Sequence, residues 1–242
     1  MGRMYGLLMR LVEHPWFFWT ARALFLTFVR VFYGLRIEGR EHVPREGPIV
    51  LASNHFSAWD PPVVGSCTPR EISFMAKKEL FENPVFRLAV RGLHAFPVDR
   101  SRNDLGAVKE ALRRLKQDRA VGIFIQGTRT ADSVEALDGA AFLALRTNAP
   151  LVPAAIWRDG RRFRVRFGEP FVVAGRDRAA MRRATAEAMR RILALLPQRA
   201  RPAGALADPD AADADDVRTV LDEVRDASAE TVGGDDAAHG PR

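Results

Sequence analysis

The stretch "ASNHFSAWDPP", residues 52–62, sets His55 five residues before Asp60, with Pro61 and Pro62 directly after. Histidine has an unperturbed pKa of about 6.5, which suits general-base work near neutral pH. A carboxylate bonded to one ring nitrogen fixes the tautomer and leaves the other nitrogen to take a proton. The plain alternative is a loop histidine beside a helix start, with Asp60 as N-cap and Pro61 at the first helical position. The two jobs are compatible if the carboxylate oxygens divide them. No G-x-S-x-G nucleophile elbow occurs in the chain, so such a base would activate a hydroxyl of a bound substrate. That points to direct transfer onto the hydroxyl rather than passage through a covalent enzyme intermediate.

Two further stretches carry anion chemistry. "GLHAFPVDR" (92–100) ends on Asp99–Arg100, and "FIQGTRT" (124–130) leaves an apolar run through Gly127, Thr128 and Arg129. Gly127 lets backbone approach an anion, Thr128 donates a hydrogen bond, and Arg129 offers a planar fork for phosphate. Either arginine alone is better read as a surface ion pair. At strand ends near one loop region, Arg100 and Arg129 together would make a phosphate clamp.

These groups need a scaffold that gathers strand ends. Apolar runs at 48–53, 71–76, 94–98, 120–125 and 151–157 read as buried strands. "RFRVRFGEPFVV" (162–173) alternates as a half-exposed strand does. Helical patterns lie between them, at 80–92 with a proline-marked start or kink, at 103–117 and at 140–149, and a long amphipathic helix follows over 176–196. Alternating strands and helices predict a single α/β domain over 36–200, with a mixed, largely parallel sheet flanked by helices. His55 then falls in a strand-to-helix connection, where open α/β sheets bind ligands.

The flanks differ from this body. Residues 1–35 are apolar and aromatic, with Pro15 dividing two helical patterns, and Arg22, Arg30 and Arg36 placed to extend toward lipid phosphates. They are expected to form an interfacial helix pair lying in one leaflet. The alternative is a helix packed on the core. A full span is less favoured, because two arginines lie within 15–35. No signal-peptide pattern is present. Residues 201–242 form an acidic Ala/Asp-rich tail, expected to be largely disordered, in which 217–224 could make a short helix.

The net charge of +7 conceals this division. Residues 203–242 hold 11 Asp and Glu against 3 Arg, whereas residues 1–202 hold 34 Lys and Arg against 19 Asp and Glu, a net of +15. A basic body favours phosphorylated metabolites or anionic lipid surfaces. A nucleic-acid partner is not expected, since no recognition-helix or aromatic-platform motif accompanies the charge. Cys67 is the single cysteine. It allows no internal disulfide or cysteine-based zinc site and fits a reducing compartment.

The ordered set "NHFSAWD", "GLHAFPVDR", "FIQGTRT" and "LVPAAI" resembles the four blocks of the glycerolipid acyltransferases, in particular the 1-acylglycerol-3-phosphate acyltransferases. "FMAKKEL" between the first two blocks is similar as well, and the likeness spans about residues 36–175. The resemblance implies transfer of a fatty acyl chain from acyl-CoA or acyl-carrier protein to a glycerophosphate hydroxyl, giving phosphatidate for phospholipid biosynthesis. It implies His55 as base and Asp60 as its orienting partner. It also implies acceptor-phosphate binding by Arg100 and Arg129, with Gly127 and Thr128 shaping the loop, Gln126 near the acceptor hydroxyl and Lys77 as a further anion contact. Pro153 belongs to the block usually read as substrate-pocket or acyl-site structure. No metal and no resident cofactor is implied. The implied setting is the cytoplasmic face of the cell membrane, with peripheral or monotopic attachment. The third block usually reads Phe-Pro-Glu-Gly-Thr-Arg; Ile125 and Gln126 replace its proline and glutamate here. Glutamine keeps hydrogen bonding but loses the charge, which leaves acceptor identity open. Glycerol 3-phosphate, another lysophospholipid, or a non-catalytic lipid-binding role remain the alternatives.

Overall fold

The computed structural model describes residues 15–99, 105–126, 131–172, 175 and 177–200. Seven strands line up in one sheet: β1 (Arg36–Glu38), β2 (Ile49–His55), β3 (Ile72–Lys77), β4 (Phe96–Val98), β5 (Ala120–Gln126), β6 (Leu151–Asp159) and β7 (Arg162–Phe167). Their spatial order is β1-β7-β6-β2-β5-β3-β4. Every neighbouring pair is parallel except β6 and β7, which pair antiparallel across a tight turn containing Gly160. Gly160 has φ +60°, a conformation glycine adopts without steric cost.

Parallel neighbours need crossover helices, which cover both faces of the sheet. The helices are α1 (Pro15–Tyr33), α2 (Asp60–Cys67), α3 (Glu79–Glu82), α4 (Pro84–Gly92), α5 (Leu105–Leu115), α6 (Ala131–Thr147) and α7 (Arg178–Leu195). Successive strand side chains point to opposite faces. Leu51 and Phe124 therefore join a core under α1 and α2 with Val29, Val63 and Phe74. Val50, Val121 and Ile123 join a second core under α5, α6 and α7 with Ala111, Leu143 and Ala184. Gly122 is required in β5, since a Cβ there would meet the Phe74 ring at 2.2 Å.

The five strands expected from apolar runs appear within two residues of their predicted places. The expected single helix over 80–92 is instead α3 and α4, broken at Asn83, whose ψ of 125° is extended. Pro84 enforces this, because a residue preceding proline is pushed out of the helical region. The predicted helix at 140–149 is the last part of the longer α6. The strand expected over 162–173 stops at Phe167, and Phe171 makes only an isolated bridge to Leu151. Helix α7 starts under Asp177, whose Oδ1 accepts from the Ala180 N–H at 2.6 Å.

Helix α1 packs on the core, as the alternative expectation had it, and also exposes apolar side chains. Phe18 and Val29 are buried, and Phe25, Leu26 and Tyr33 pack against the core. Trp16, Trp19, Leu24, Phe28, Val31 and Phe32 are exposed. Arg22 corrects the expectation that it reaches toward lipid. Its Nε donates to the Ser66 carbonyl at 3.0 Å and its Nη2 to the Thr68 carbonyl, so it ends α2. Arg36 pairs with Glu38, Nε to Oε1 at 2.9 Å, and stays exposed. Among the described residues no helix is long and apolar enough to cross a membrane. The expected first N-terminal helix and the acidic tail lie outside the described residues.

Candidate active site

Strand β2 runs through the middle of the sheet with both faces buried, and delivers His55 at its C-terminal end. The chain turns through Phe56, Ser57, Ala58 and Trp59 into α2. The capping residue of α2 is Trp59, and Asp60 is the first helical residue, which corrects the assignment of Asp60 as N-cap. The reason lies in the two prolines. Pro61 and Pro62 have no N–H, so two donors that would need capping are missing. The Asp60 N–H is satisfied by the Ser57 carbonyl at 2.9 Å.

The Asp60 carboxylate is thereby not needed as a cap and faces back into the loop. Its Oδ2 accepts from His55 Nδ1 at 2.8 Å, from the Phe56 N–H at 2.7 Å and from the Ser57 N–H at 2.8 Å. One oxygen does all three jobs, where a division between the two was expected. Oδ1 is buried and has no hydrogen-bond partner among the described residues. The Asp60 side chain is 0% exposed and that of His55 is 16% exposed. A carboxylate only accepts, so Nδ1 carries the proton and Nε2 the lone pair. The ring lies against Phe124, centroids 5.0 Å apart, which itself packs on Phe74. A fixed imidazole with an available lone pair, held by a buried carboxylate, is built to take up a proton and give it back.

Asn54 was not singled out in the sequence. The β2–β6 ladder pairs Val50–Ser53 with Leu151–Ala154. Beyond it the Asn54 side chain takes over: Nδ2 donates to the Ile156 carbonyl at 2.7 Å, and the Ile156 N–H donates to Oδ1 at 2.8 Å. This clamp holds the strand end that carries His55. An amide side chain near the end of a mostly apolar strand, directly before His55, was the available signal.

On the β6 side a groove of about 620 Å³ opens beside His55. Asn54, Phe56, Ile156, Trp157 and Leu196 contribute to its lining, together with the charged groups of Arg158, Asp159 and Arg199. On the other side lies β5, where Gln126 is the register partner of His55 and the last residue of the strand. Lys77 is exposed at the same edge of the sheet, at the end of β3. Its neighbour Lys78 joins the ends of β3 and β4, Nζ to Asp99 Oδ2 at 2.5 Å. That hydrogen bond and the charge of Asp99 raise the Lys78 pKa. Arg100, Gly127, Thr128 and Arg129 lie outside the described residues.

Several known proteins are similar in sequence to part of this chain. A 1-acyl-sn-glycerol-3-phosphate acyltransferase of Bacillus subtilis is 38% identical over 123 residues, covering 50% of this chain and 62% of that protein. One from Streptococcus pneumoniae is 36% identical, covering 43% of this chain and 39% of that protein. The human 1-acyl-sn-glycerol-3-phosphate acyltransferase alpha is 31% identical, covering 54% and 48%. The chain thus spans less than two thirds of the length of each of these relatives. A crystal structure of the 1-acyl-sn-glycerophosphate (LPA) acyltransferase PlsC from Thermotoga maritima is 19% identical at a TM-score of 0.46, covering 89% of this chain and 83% of that one. The model of the Acyltransferase family matches residues 34–157, a span that opens just before β1, includes the His55–Asp60 loop and closes in β6. The chain belongs to the Acyltransferase family.

Proposed function

We propose that the protein moves a fatty acyl chain from a thioester donor to the free hydroxyl of 1-acylglycerol 3-phosphate, giving phosphatidate. The observation that carries the reading is the His55–Asp60 pair, Nδ1 to Oδ2 at 2.8 Å, at the central strand end of a member of the Acyltransferase family. The relatives named for this reaction support the choice of acceptor.

In this reaction Nε2 of His55 takes the proton from the acceptor hydroxyl as its oxygen attacks the thioester carbonyl carbon. The carbon–oxygen bond forms, and the carbonyl becomes a tetrahedral oxyanion that requires nearby donors. The carbon–sulfur bond then breaks. The imidazolium, stabilised by the Asp60 carboxylate, returns the proton to the leaving thiolate. Ester and thiol are the products, and His55 ends as it began. Arg100, Arg129 and Lys77 serve the acceptor phosphate, with Gln126 at the end of β5 and Gly127 and Thr128 as further acceptor-binding residues.

The acceptor reaches the site from a membrane surface in this account. The exposed apolar face of α1 lies in the headgroup region, and it extends toward the site through Phe25, which stacks on Trp59 at 6.4 Å. Attachment is peripheral and the basic body favours an anionic leaflet.

The test is a screen of purified protein with one acyl-CoA against glycerol 3-phosphate, lysophosphatidate and other lysophospholipids, reading free thiol and product lipid. Thiol release dependent on lysophosphatidate supports the reading. Binding of lysophosphatidate without thiol release from any acceptor contradicts it.

A further inference from the structure

Strand β7 divides its side chains between the two sides of the sheet. Phe163, Val165 and Phe167 join the core under α1, so Arg162, Arg164 and Arg166 point to the other side. The parallel register sets Arg36 beside Arg164 and Glu38 beside Arg166 on that same side. Helix α7 packs on β2 and β6 there and ends over Arg166, whose Nη1 donates to the Leu195 carbonyl at 2.9 Å. Past this helix end, Arg36 and Arg162 are exposed.

Charge is not balanced on this face. Glu38 is shared between Arg36 at 2.9 Å and Arg166 at 2.7 Å, and Asp159 between Arg199 at 2.9 Å and Arg164 at 3.8 Å. Arg162 has no carboxylate partner among the described residues. Five arginines thus share the two carboxylates Glu38 and Asp159. Arg36 and Arg164 are like charges side by side, an unfavourable pairing without an anion between them.

An anion of matching chemistry lies nearby in the sequence. Arg199 precedes Ala200, where the described residues end, and it is bonded to Asp159, the register partner of Arg162. The chain therefore leaves the domain at the tip of the β6–β7 hairpin, beside the arginine row. Eight residues on from Ala200 begins "DPDAADADD" (208–216), with five aspartates and no lysine or arginine. Eight extended residues reach about 26–29 Å, whereas the six residues of β7 span about 20 Å. So short a tether holds the segment at an effective concentration of about millimolar, and individually weak ion pairs then suffice. A lipid surface fits this face less well. Helix α1, with its exposed apolar side chains, packs on the opposite side of the sheet, so a leaflet met through α1 faces away from the arginines.

We infer that the acidic segment 208–216 docks on the arginine face of β1 and β7, with Arg36 and Arg162 as its principal contacts. The contact is intramolecular and electrostatic, so it weakens as salt rises.

A nitroxide spin label on Ala212→Cys of the full chain tests this through paramagnetic broadening of backbone amides. The native thiol, Cys67, is 1% exposed and stays unlabelled. The inference expects the amides of Arg36, Ile37 and Arg162–Phe167 to broaden at low salt. The broadening is lost at about 1 M salt, where the screening length is about 3 Å. It is also lost in a chain carrying Asp208→Asn, Asp210→Asn, Asp213→Asn, Asp215→Asn and Asp216→Asn, and in an Arg36→Ala/Arg162→Ala chain. The amide spectrum itself reports that each variant is folded. No broadening of these amides, or the same broadening after the aspartate replacements, overturns the inference. Flotation with phosphatidylglycerol vesicles is measured beside it. Flotation unchanged in Arg36→Ala/Arg162→Ala supports the inference, whereas flotation lost in that variant assigns the face to anionic lipid and overturns it.

Discussion

His55 and Asp60 are joined Nδ1 to Oδ2 at 2.8 Å, and the same oxygen takes the N–H groups of Phe56 and Ser57. One buried carboxylate oxygen therefore sets both the ring and the loop that carries it. Asp60→Asn keeps the size of the side chain and an acceptor oxygen, but removes the charge that stabilises the imidazolium. It should lower kcat by about 10²–10⁴ with little change in either substrate KM and a near-native unfolding midpoint. Steady-state kinetics beside thermal unfolding checks this. A rise in acceptor KM at unchanged kcat would give Asp60 a binding role instead.

Asn54 holds both backbone groups of Ile156 across the end of the β2–β6 ladder. Asn54→Ala leaves a buried donor and a buried acceptor unpaired, a cost of about 2–4 kcal/mol. Denaturant unfolding should register that loss, and kcat should fall more than KM rises, because His55 sits on the loosened strand end.

Helix α5 is tied to the sheet through a second carboxylate. Glu110 accepts from Arg113 at 2.7 Å and from Arg114 at 2.7 Å, and Arg114 also donates to Ser73 Oγ and to the His94 carbonyl. The Arg113 and Arg114 hydrogen bonds hold the Glu110 pKa down to about 2, from an ordinary 4.5. A depressed carboxylate pKa contributes stability above the unfolded value and loses it as pH falls through the folded value. Glu110→Gln should therefore lower the unfolding midpoint at pH 7, and the gap from wild type should close between pH 4.5 and about 2. Thermal melts across that range measure it. A gap that stays constant would contradict the assignment.

The apolar face of α1 predicts vesicle binding. Leu24 and Phe28 are 68% and 43% exposed. Leu24→Asp/Phe28→Asp should abolish flotation with anionic phosphatidylglycerol vesicles, while changing stability by less than about 1 kcal/mol. Unchanged flotation would place the membrane contact elsewhere.

The legible part of this protein was what periodicity and local chemistry encode. The runs around Val50, Val121 and Val152 are buried on both faces and were visible as uninterrupted apolar stretches. The alternation of Arg162–Phe167 announced its one-sided burial. The short β1 strand was not visible, because three residues carry no period and its exposed Arg36 reads as a loop residue. The His55–Asp60 spacing was legible, but the helix start was misplaced by one residue, since an Asp before Pro signals a cap. Only the N–H-free pair Pro61–Pro62, met in three dimensions, explains why no cap is needed. Arg22 was illegible for another reason. Its partners are backbone carbonyls at Ser66 and Thr68, and backbone acceptors leave no mark in side-chain sequence. The groove on the β6 flank assembles Phe56, Trp157 and Arg199 from three distant segments, which only the sheet order brings together.

In the proposed reaction acyl transfer depends on His55 moving the proton. The most direct measurement compares wild type and His55→Ala in one assay, with acyl-CoA, lysophosphatidate in mixed micelles, and free thiol as the readout. Wild type should release thiol in a lysophosphatidate-dependent way, and kcat of the variant should fall by at least about 10² with an unchanged unfolding midpoint. A folded His55→Ala protein that turns over at the wild-type rate would contradict it.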